Sequence, residues 1–170
     1  DLGDLLQDLH RLFQGPAESK GIELRYGAQI DRSSWILGDR HRLRQVLTNL
    51  LSNAIKFTEQ GHVDLSVWLE EAPLQLRAAV RDTGRGISDL DRIWNSFQQE
   101  DATISASHGG SGLGLTITQK LVHLMGGEIC VESAPGEGSC FELRIPVERA
   151  DRESVVGEDG LDQAPRADAS

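Results

Sequence analysis

Apolar residues recur at helical spacing in some stretches of the chain and alternate with polar residues in others. Leu2, Leu5, Leu6, Leu9, Leu12 and Phe13 predict an amphipathic helix over residues 1–14, which Gly15-Pro16 should end or kink. Val46, Leu47, Leu50, Leu51, Ala54 and Ile55 form one stripe of a second helix, from about 40 to 57, with Asp39 in the N-cap position. A third, from about 113 to 125, carries Leu115, Leu121, Val122, Leu124 and Met125 and stops at Gly126-Gly127. Ile22 to Gln29 and Trp35 to Leu37 read as strands. Val63 to Leu69 alternates as a half-buried strand does, and Leu74 to Arg81 follows as its partner. Glu128 to Ser133 and Cys140 to Val147 predict a hairpin around Ala134-Pro135-Gly136-Glu137-Gly138.

Between these elements, residues 83–111 are rich in Gly, Ser, Asp and Gln, with a short apolar island at Ile93, Trp94 and Phe97. This predicts a long functional loop. After Arg149 the periodicity is lost, so residues 150–170 are expected to be a flexible tail or linker. The order of elements predicts an α/β fold, a two-layer sandwich of one mixed β-sheet with helices on one face. Residues 1–20 would be a leading helix and 21–149 the folded unit behind it.

A length of 170 residues suffices for one domain with a real core. The net charge of −10 argues against a nucleic-acid groove, which needs basic patches to track phosphates. No apolar run is long enough to span a bilayer and no signal-peptide pattern occurs, so direct membrane contact by this stretch is not expected. Cys130 and Cys140 form no CxxC pair and read as reduced cytosolic cysteines. The chain begins at Asp1 rather than Met, which suggests a piece of something longer.

The chemistry concentrates in three segments. On the second helix, Asn49, Asn53 and Lys56 are spaced i, i+4, i+7 and share the face opposite the apolar stripe. A carboxamide oxygen can ligate a hard cation such as Mg²⁺, and a lysine reaches phosphate as a point charge. Asp82-Thr83-Gly84-Arg85-Gly86-Ile87 puts a carboxylate at a strand end, entering a Gly-x-Gly turn. There it can accept from an exocyclic amine while the glycines let a flat base approach the backbone. Gly110-Ser111-Gly112-Leu113-Gly114 precedes a helix, so its free N–H groups and the helix N-terminus can cradle phosphate. Two familiar nucleotide motifs do not fit this glycine run. Leu115 stands where a dinucleotide fingerprint needs its third glycine, and no lysine follows a glycine as a P-loop requires.

Taken in this order, the asparagine box and the two glycine boxes resemble the nucleotide-binding domain of sensor histidine kinases. That domain belongs to the GHKL superfamily, shared with DNA gyrase, a heat-shock chaperone and mismatch-repair ATPases. The resemblance runs from about Leu5 to Val147. It implies ATP and Mg²⁺ as cofactors, with Asn53 on the metal, and Asn49 and Lys56 as catalytic contacts to phosphate or metal. Asp82 would read the adenine amino group, with Gly84, Gly86 and Ile87 beside it, and Gly110 to Gly114 would wrap the phosphates. In the hydrolytic relatives the position of Asn49 holds a glutamate that polarises water. An amide is no general base at neutral pH, so phosphoryl transfer is favoured over hydrolysis.

The kinase reading implies further partners: a dimerisation domain of the same protein carrying the acceptor histidine, then a response regulator or receiver domain as in hybrid kinases, or another sensor kinase. His10, His41, His62, His108 and His123 all lack the family's acceptor setting. The whole protein would be a membrane-anchored sensor with this part in the cytoplasm. Three departures from the family pattern stand out. Ala106-Ser107-His108-Gly109-Gly110 lacks the lid's usual basic pair, leaving Arg85 and Arg92 as candidate substitutes. The segment from Ile87 to Ile93 is about two residues short, with Trp94 in place of a common phenylalanine. Cys140 stands where a threonine often lies near the adenine. These departures motivate an alternative: a degenerate kinase domain that regulates another kinase by docking, without catalysis.

Overall fold

The computed structural model describes residues 1–30, 34–94 and 113–151. Helix α1 spans Leu2–Lys20 and helix α2 Arg40–Phe57. Asp1 Oδ1 accepts from Asp4 N at 2.9 Å and Asp39 Oδ1 from Arg42 N at 3.0 Å, so a carboxylate caps each N-terminus and satisfies an orphan donor. The expected end of α1 at Gly15-Pro16 is not found. Pro16 sits on the exposed face, where the carbonyl it leaves without a donor can meet water, while Ala17 is buried and anchors the next turn. The helix ends instead at Gly21, in the left-handed conformation with φ 71°. Leu12, counted in the apolar stripe, is exposed.

Strands β1 (Glu23–Gln29), β3 (His62–Glu71), β4 (Leu74–Asp82), β5 (Glu128–Ser133) and β6 (Ser139–Pro146) form one sheet in the order β1-β3-β4-β6-β5. Only β1 and β3 run parallel; the other pairs are antiparallel, so the sheet is mixed as expected. β2 (Ile36–Leu37) pairs with β7 (Glu148–Arg149), a strand the sequence pattern did not reveal. Ala150 N donates to Trp35 O beside it at 3.0 Å. The loop expected after Asp82 contains a short helix, α3 (Leu90–Trp94), at the apolar island. Phe97 lies outside the described residues. Helix α4 follows at Leu113–Leu124.

Alternation along the strands separates the two faces of the sheet. Val63, Leu65, Val67, Leu76, Ala78, Val80, Phe141, Leu143 and Ile145 are buried in one cluster with Leu5, Leu6, Leu9 and Phe13 of α1, the apolar stripe of α2 and Val122 of α4. Their strand neighbours project from the other face, which carries ion pairs and, among the described residues, no helix: Arg77 with Glu70 and Glu142, and Arg144 with Glu128. Among the described residues, no helix is long and apolar enough to cross a membrane.

Candidate functional site

Helix α2 turns its polar stripe toward the groove bounded by α4 and by the turn after β4. Asn49, Asn53 and Lys56 are all half-buried there. Asn49 Nδ2 donates to Thr118 Oγ1 of α4 at 3.3 Å, and Thr118 Oγ1 donates to Gly114 O at 2.7 Å. The first turn of α4, which follows the second glycine box, is thereby joined to the asparagine box. Asn53 makes no side-chain hydrogen bond among the described residues. Lys56 Nζ lies 5.3 Å from the centre of the Phe57 ring and the Arg85 guanidinium 4.7 Å from it, so two cations flank this aromatic at the end of α2. Two devices fix that end. Thr58 Oγ1 donates to Ala54 O at 2.7 Å, and Lys20 Nζ, from the last turn of α1, donates to the carbonyls of Ile55 and Lys56.

Asp82 closes β4 on the helix side of the sheet and is only 7 % exposed. Its Oδ1 accepts from Gly84 N at 2.9 Å. Burial pushes its carboxyl above the usual carboxylate range, opposed by the backbone N–H groups of Gly84 and Ser139. The glycines of this turn are required by the protein itself. A Cβ on Gly84 would lie 2.5 Å from Phe57 O, and one on Gly86, where φ is 73°, would lie 2.0 Å from Ala134 O. The turn therefore packs on the end of α2 at one side and on the β5–β6 hairpin at the other. Gly136 N donates to Arg85 O at 2.7 Å and Ile87 N to Ser133 Oγ at 2.8 Å. Ser133 Oγ gives its own proton to Gly138 O at 2.7 Å, so the Ser139 hydroxyl, 2.9 Å away, must be the donor between the two serines.

The structure thus brings together Asn49, Asn53, Lys56, Asp82, Gly84, Gly86 and Ile87, with Gly114 at the start of α4. Gly110, Ser111 and Gly112 lie outside the described residues, as does the lid stretch 106–109, and of Leu113 only the backbone is described. Cys140 is not at this site. It pairs with Arg81 across β4 and β6, whereas Ser139 pairs with Asp82. Since neighbours along a strand point to opposite faces, Cys140 projects from the side away from the helices. There it lines a recess of about 480 Å³ with Arg25, Ser66, Trp68, Ala79 and Arg81. Ser139 occupies the position beside the buried carboxylate that Cys140 was expected to hold.

Sequence reasoning missed Thr118 and Ser139. Each left a signal. Thr118 shares a helical stripe with Leu115, Val122 and Met125, where a buried hydroxyl needs a partner, and Ser139 is in phase with Phe141, Leu143 and Ile145.

The family described as "Histidine kinase-, DNA gyrase B-, and HSP90-like ATPase" matches residues 38–149. Sensor histidine kinase GacS of Pseudomonas protegens is 43 % identical over 164 residues, covering 92 % of this chain and 18 % of the relative. Signal transduction histidine-protein kinase BarA of Escherichia coli is 44 % identical over 149 residues, covering 85 % of this chain and 16 % of BarA. The chain therefore spans less than a fifth of these relatives' length. Among solved structures, full-length ShkA in complex with AMPPNP superimposes with a TM-score of 0.75 at 36 % identity, covering 88 % of this chain and 31 % of that one. The nucleotide-free catalytic domain of histidine kinase ThkA gives 0.71 at 27 % identity, covering 86 % and 92 %. With the sheet order, the asparagine face of α2 and the buried carboxylate ending β4 in one groove, these matches establish that the chain belongs to the histidine kinase-, DNA gyrase B- and HSP90-like ATPase family, as a histidine-kinase ATPase domain of the sensor-kinase type.

Proposed function

We propose that this domain binds Mg-ATP and presents the γ-phosphoryl group to a histidine on a dimerisation domain outside this chain. The observation that carries the reading is the joining of Asn49, Asn53 and Lys56 on α2 to a buried, backbone-held carboxylate at Asp82, with Gly84 of the following turn packed against the end of the same helix. The donor set suits the cofactors. Carboxamide oxygens hold a hard cation without adding charge to a site that must also admit phosphates, and Lys56 supplies a point charge for them. Bound Mg²⁺ would neutralise charge spreading over the phosphates. Asn53 is the ligand assigned to the metal. Asp82 accepts from the adenine amino group beside Gly84, Gly86 and Ile87. Gly110 to Gly114 and the start of α4 hold the phosphates. The solved relative ShkA was crystallised in complex with AMPPNP, which supports nucleotide binding by this domain.

The proposed unit is residues 21–149, led into by the helix 1–20 and followed by a tail from 150, as part of a cytoplasmic region of a membrane-anchored hybrid kinase with a receiver domain or response regulator downstream. Asn49 in place of a general base favours transfer over hydrolysis. The alternative, a degenerate docking module acting on another sensor kinase, is motivated by the lid stretch 106–110 without its basic pair. Calorimetric titration with a non-hydrolysable ATP analogue, with and without Mg²⁺, separates the two. The kinase reading expects binding strengthened by Mg²⁺, and a longer chain with its dimerisation helices should acquire acid-labile, base-stable label from radiolabelled ATP. Absence of both binding and label supports the docking module.

A further inference from the structure

Thr118 is fully buried, and its single hydroxyl proton is committed. Its Oγ1 lies 2.7 Å from the carbonyl oxygen of Gly114, which can only accept, and 3.3 Å from the Asn49 carboxamide. Having donated to Gly114, the hydroxyl can offer Asn49 only a lone pair. The group of Asn49 that faces it must therefore be the NH₂. The oxygen and nitrogen of a carboxamide look alike in shape, and their order is settled by such a chain of donors and acceptors. With Nδ2 held by Thr118, Oδ1 is the carboxamide atom left to the polar face of α2 that Asn49 shares with Asn53 and Lys56.

We infer that Thr118 is a positioning residue: it locks the Asn49 carboxamide so that an oxygen, not an NH₂, faces the groove. This rests on the reading of the groove as a Mg-nucleotide site and decides a question that reading left open. An oxygen repels a phosphate oxygen and attracts a cation, so Asn49 serves the cation side of the site together with Asn53. The phosphates fall to Lys56 and the first turn of α4. A ligand whose outer partner holds it in one orientation needs no rearrangement when the cation arrives, and loss of such partners typically lowers metal affinity by about 10–100-fold. The chain Asn49–Thr118–Gly114 also ties that oxygen to the first turn of α4, so the cation side and the phosphate cradle are set by one buried hydroxyl.

Thr118→Val keeps the volume and removes the hydroxyl, and Thr118→Ser restores it. In the full chain without nucleotide, the Asn49 side-chain NH₂ resonances should shift and lose protection from exchange in Thr118→Val but stay close to the parent in Thr118→Ser. In titrations with a non-hydrolysable ATP analogue, Thr118→Val should lose about tenfold or more of the affinity gained on adding Mg²⁺ while its affinity without Mg²⁺ is retained. Thr118→Ser should keep the gain. Unchanged Asn49 NH₂ signals in Thr118→Val, or an equal loss of affinity with and without Mg²⁺ in both Thr118 variants, would overturn the assignment. Asn49→Ala separates the two levels. If it abolishes the Mg²⁺ gain while Thr118→Val does not, the positioning role is wrong and the site reading stands. If Asn49→Ala leaves the gain intact, it is the placing of Asn49 on the cation side that fails.

Discussion

Lys20, at the end of the first helix, donates its ammonium to the carbonyl oxygen of Ile55, 2.8 Å away near the end of the second. The same group reaches Lys56 O at 3.0 Å. A cation at a helix C-terminus satisfies orphan carbonyls and opposes the negative end of the helix dipole, contributing about 0.5–2 kcal/mol. Lys20→Met should therefore lower the melting temperature by about 2–6 °C for a domain of this size. It should also weaken nucleotide binding slightly, because Lys56 and Phe57 lie in the turn that Lys20 holds. Thermal melts with and without nucleotide measure both effects. An unchanged Tm would show that the contact contributes nothing.

Asn53→Ala should leave the fold intact, since the residue lies off the apolar stripe and makes no internal side-chain bond among the described residues. We expect the loss to fall on the Mg²⁺-dependent part of nucleotide affinity, by about tenfold for one metal ligand. Titration in Mg²⁺ and in EDTA gives the split. The same metal dependence in mutant and parent would exclude Asn53 as a ligand.

Asp82 has a folded-state carboxyl raised above its unfolded value by burial. Its charged form is thus disfavoured by folding, and its contribution to stability falls as pH rises from the ordinary aspartate range through the raised folded value. Asp82→Asn should remove this part of the pH dependence in the nucleotide-free protein. It should also reduce ATP affinity more than GTP affinity, because an acceptor for the adenine amino group is altered. Denaturant melts across the carboxylate range test the first expectation, and competition titrations the second. A pH slope equal to that of the parent, or an equal loss for both nucleotides, would contradict the corresponding role.

Gly138 has φ 78°, and a Cβ there would lie 2.0 Å from Asp82 O. Gly138→Ala must therefore both strain the backbone and displace the strand end that carries the buried carboxylate. A cost above about 1 kcal/mol is expected from the conformation alone, and more from the clash. Chemical denaturation together with nucleotide titration should show stability and affinity falling together. Gly136 also has positive φ but meets nothing within 4 Å, so Gly136→Ala should cost stability and spare affinity.

Much of this was legible in the residues. The apolar period of 3.6 placed α2 within a residue or two and put Asn49, Asn53 and Lys56 on one face; Asp39 does cap it, and Asp82 does close a strand. What escaped has physical causes. Pro16 reads as a terminator because a helix-interior proline costs a hydrogen bond, but here it lies on the exposed face, where the orphaned carbonyl can meet water, and the following alanine is packed. β7 is too short and too exposed to leave a pattern. The family pattern points to Cys140, but the strand's period of two turns it to the far face and brings Ser139 beside Asp82. Thr118 carries no motif; only its place among apolar neighbours marks it.

Helix α1 lies ahead of the family's matched segment, which begins at residue 38, yet Leu2, Leu5, Leu6, Leu9, Phe13 and Ala17 are buried in the same core as the sheet. Anyone grafting a new input onto this domain therefore has a seam to respect. A chimera joined at residue 38 would discard part of the interior, and truncating even one such leucine to alanine in a packed core typically costs about 2–5 kcal/mol. The splice that preserves the interior lies before Leu2, where a foreign helix can run into α1 in phase. Each residue inserted or deleted at that junction would turn the incoming helix by about 100° relative to the sheet, so the phase of the fusion, rather than its length, becomes the design variable.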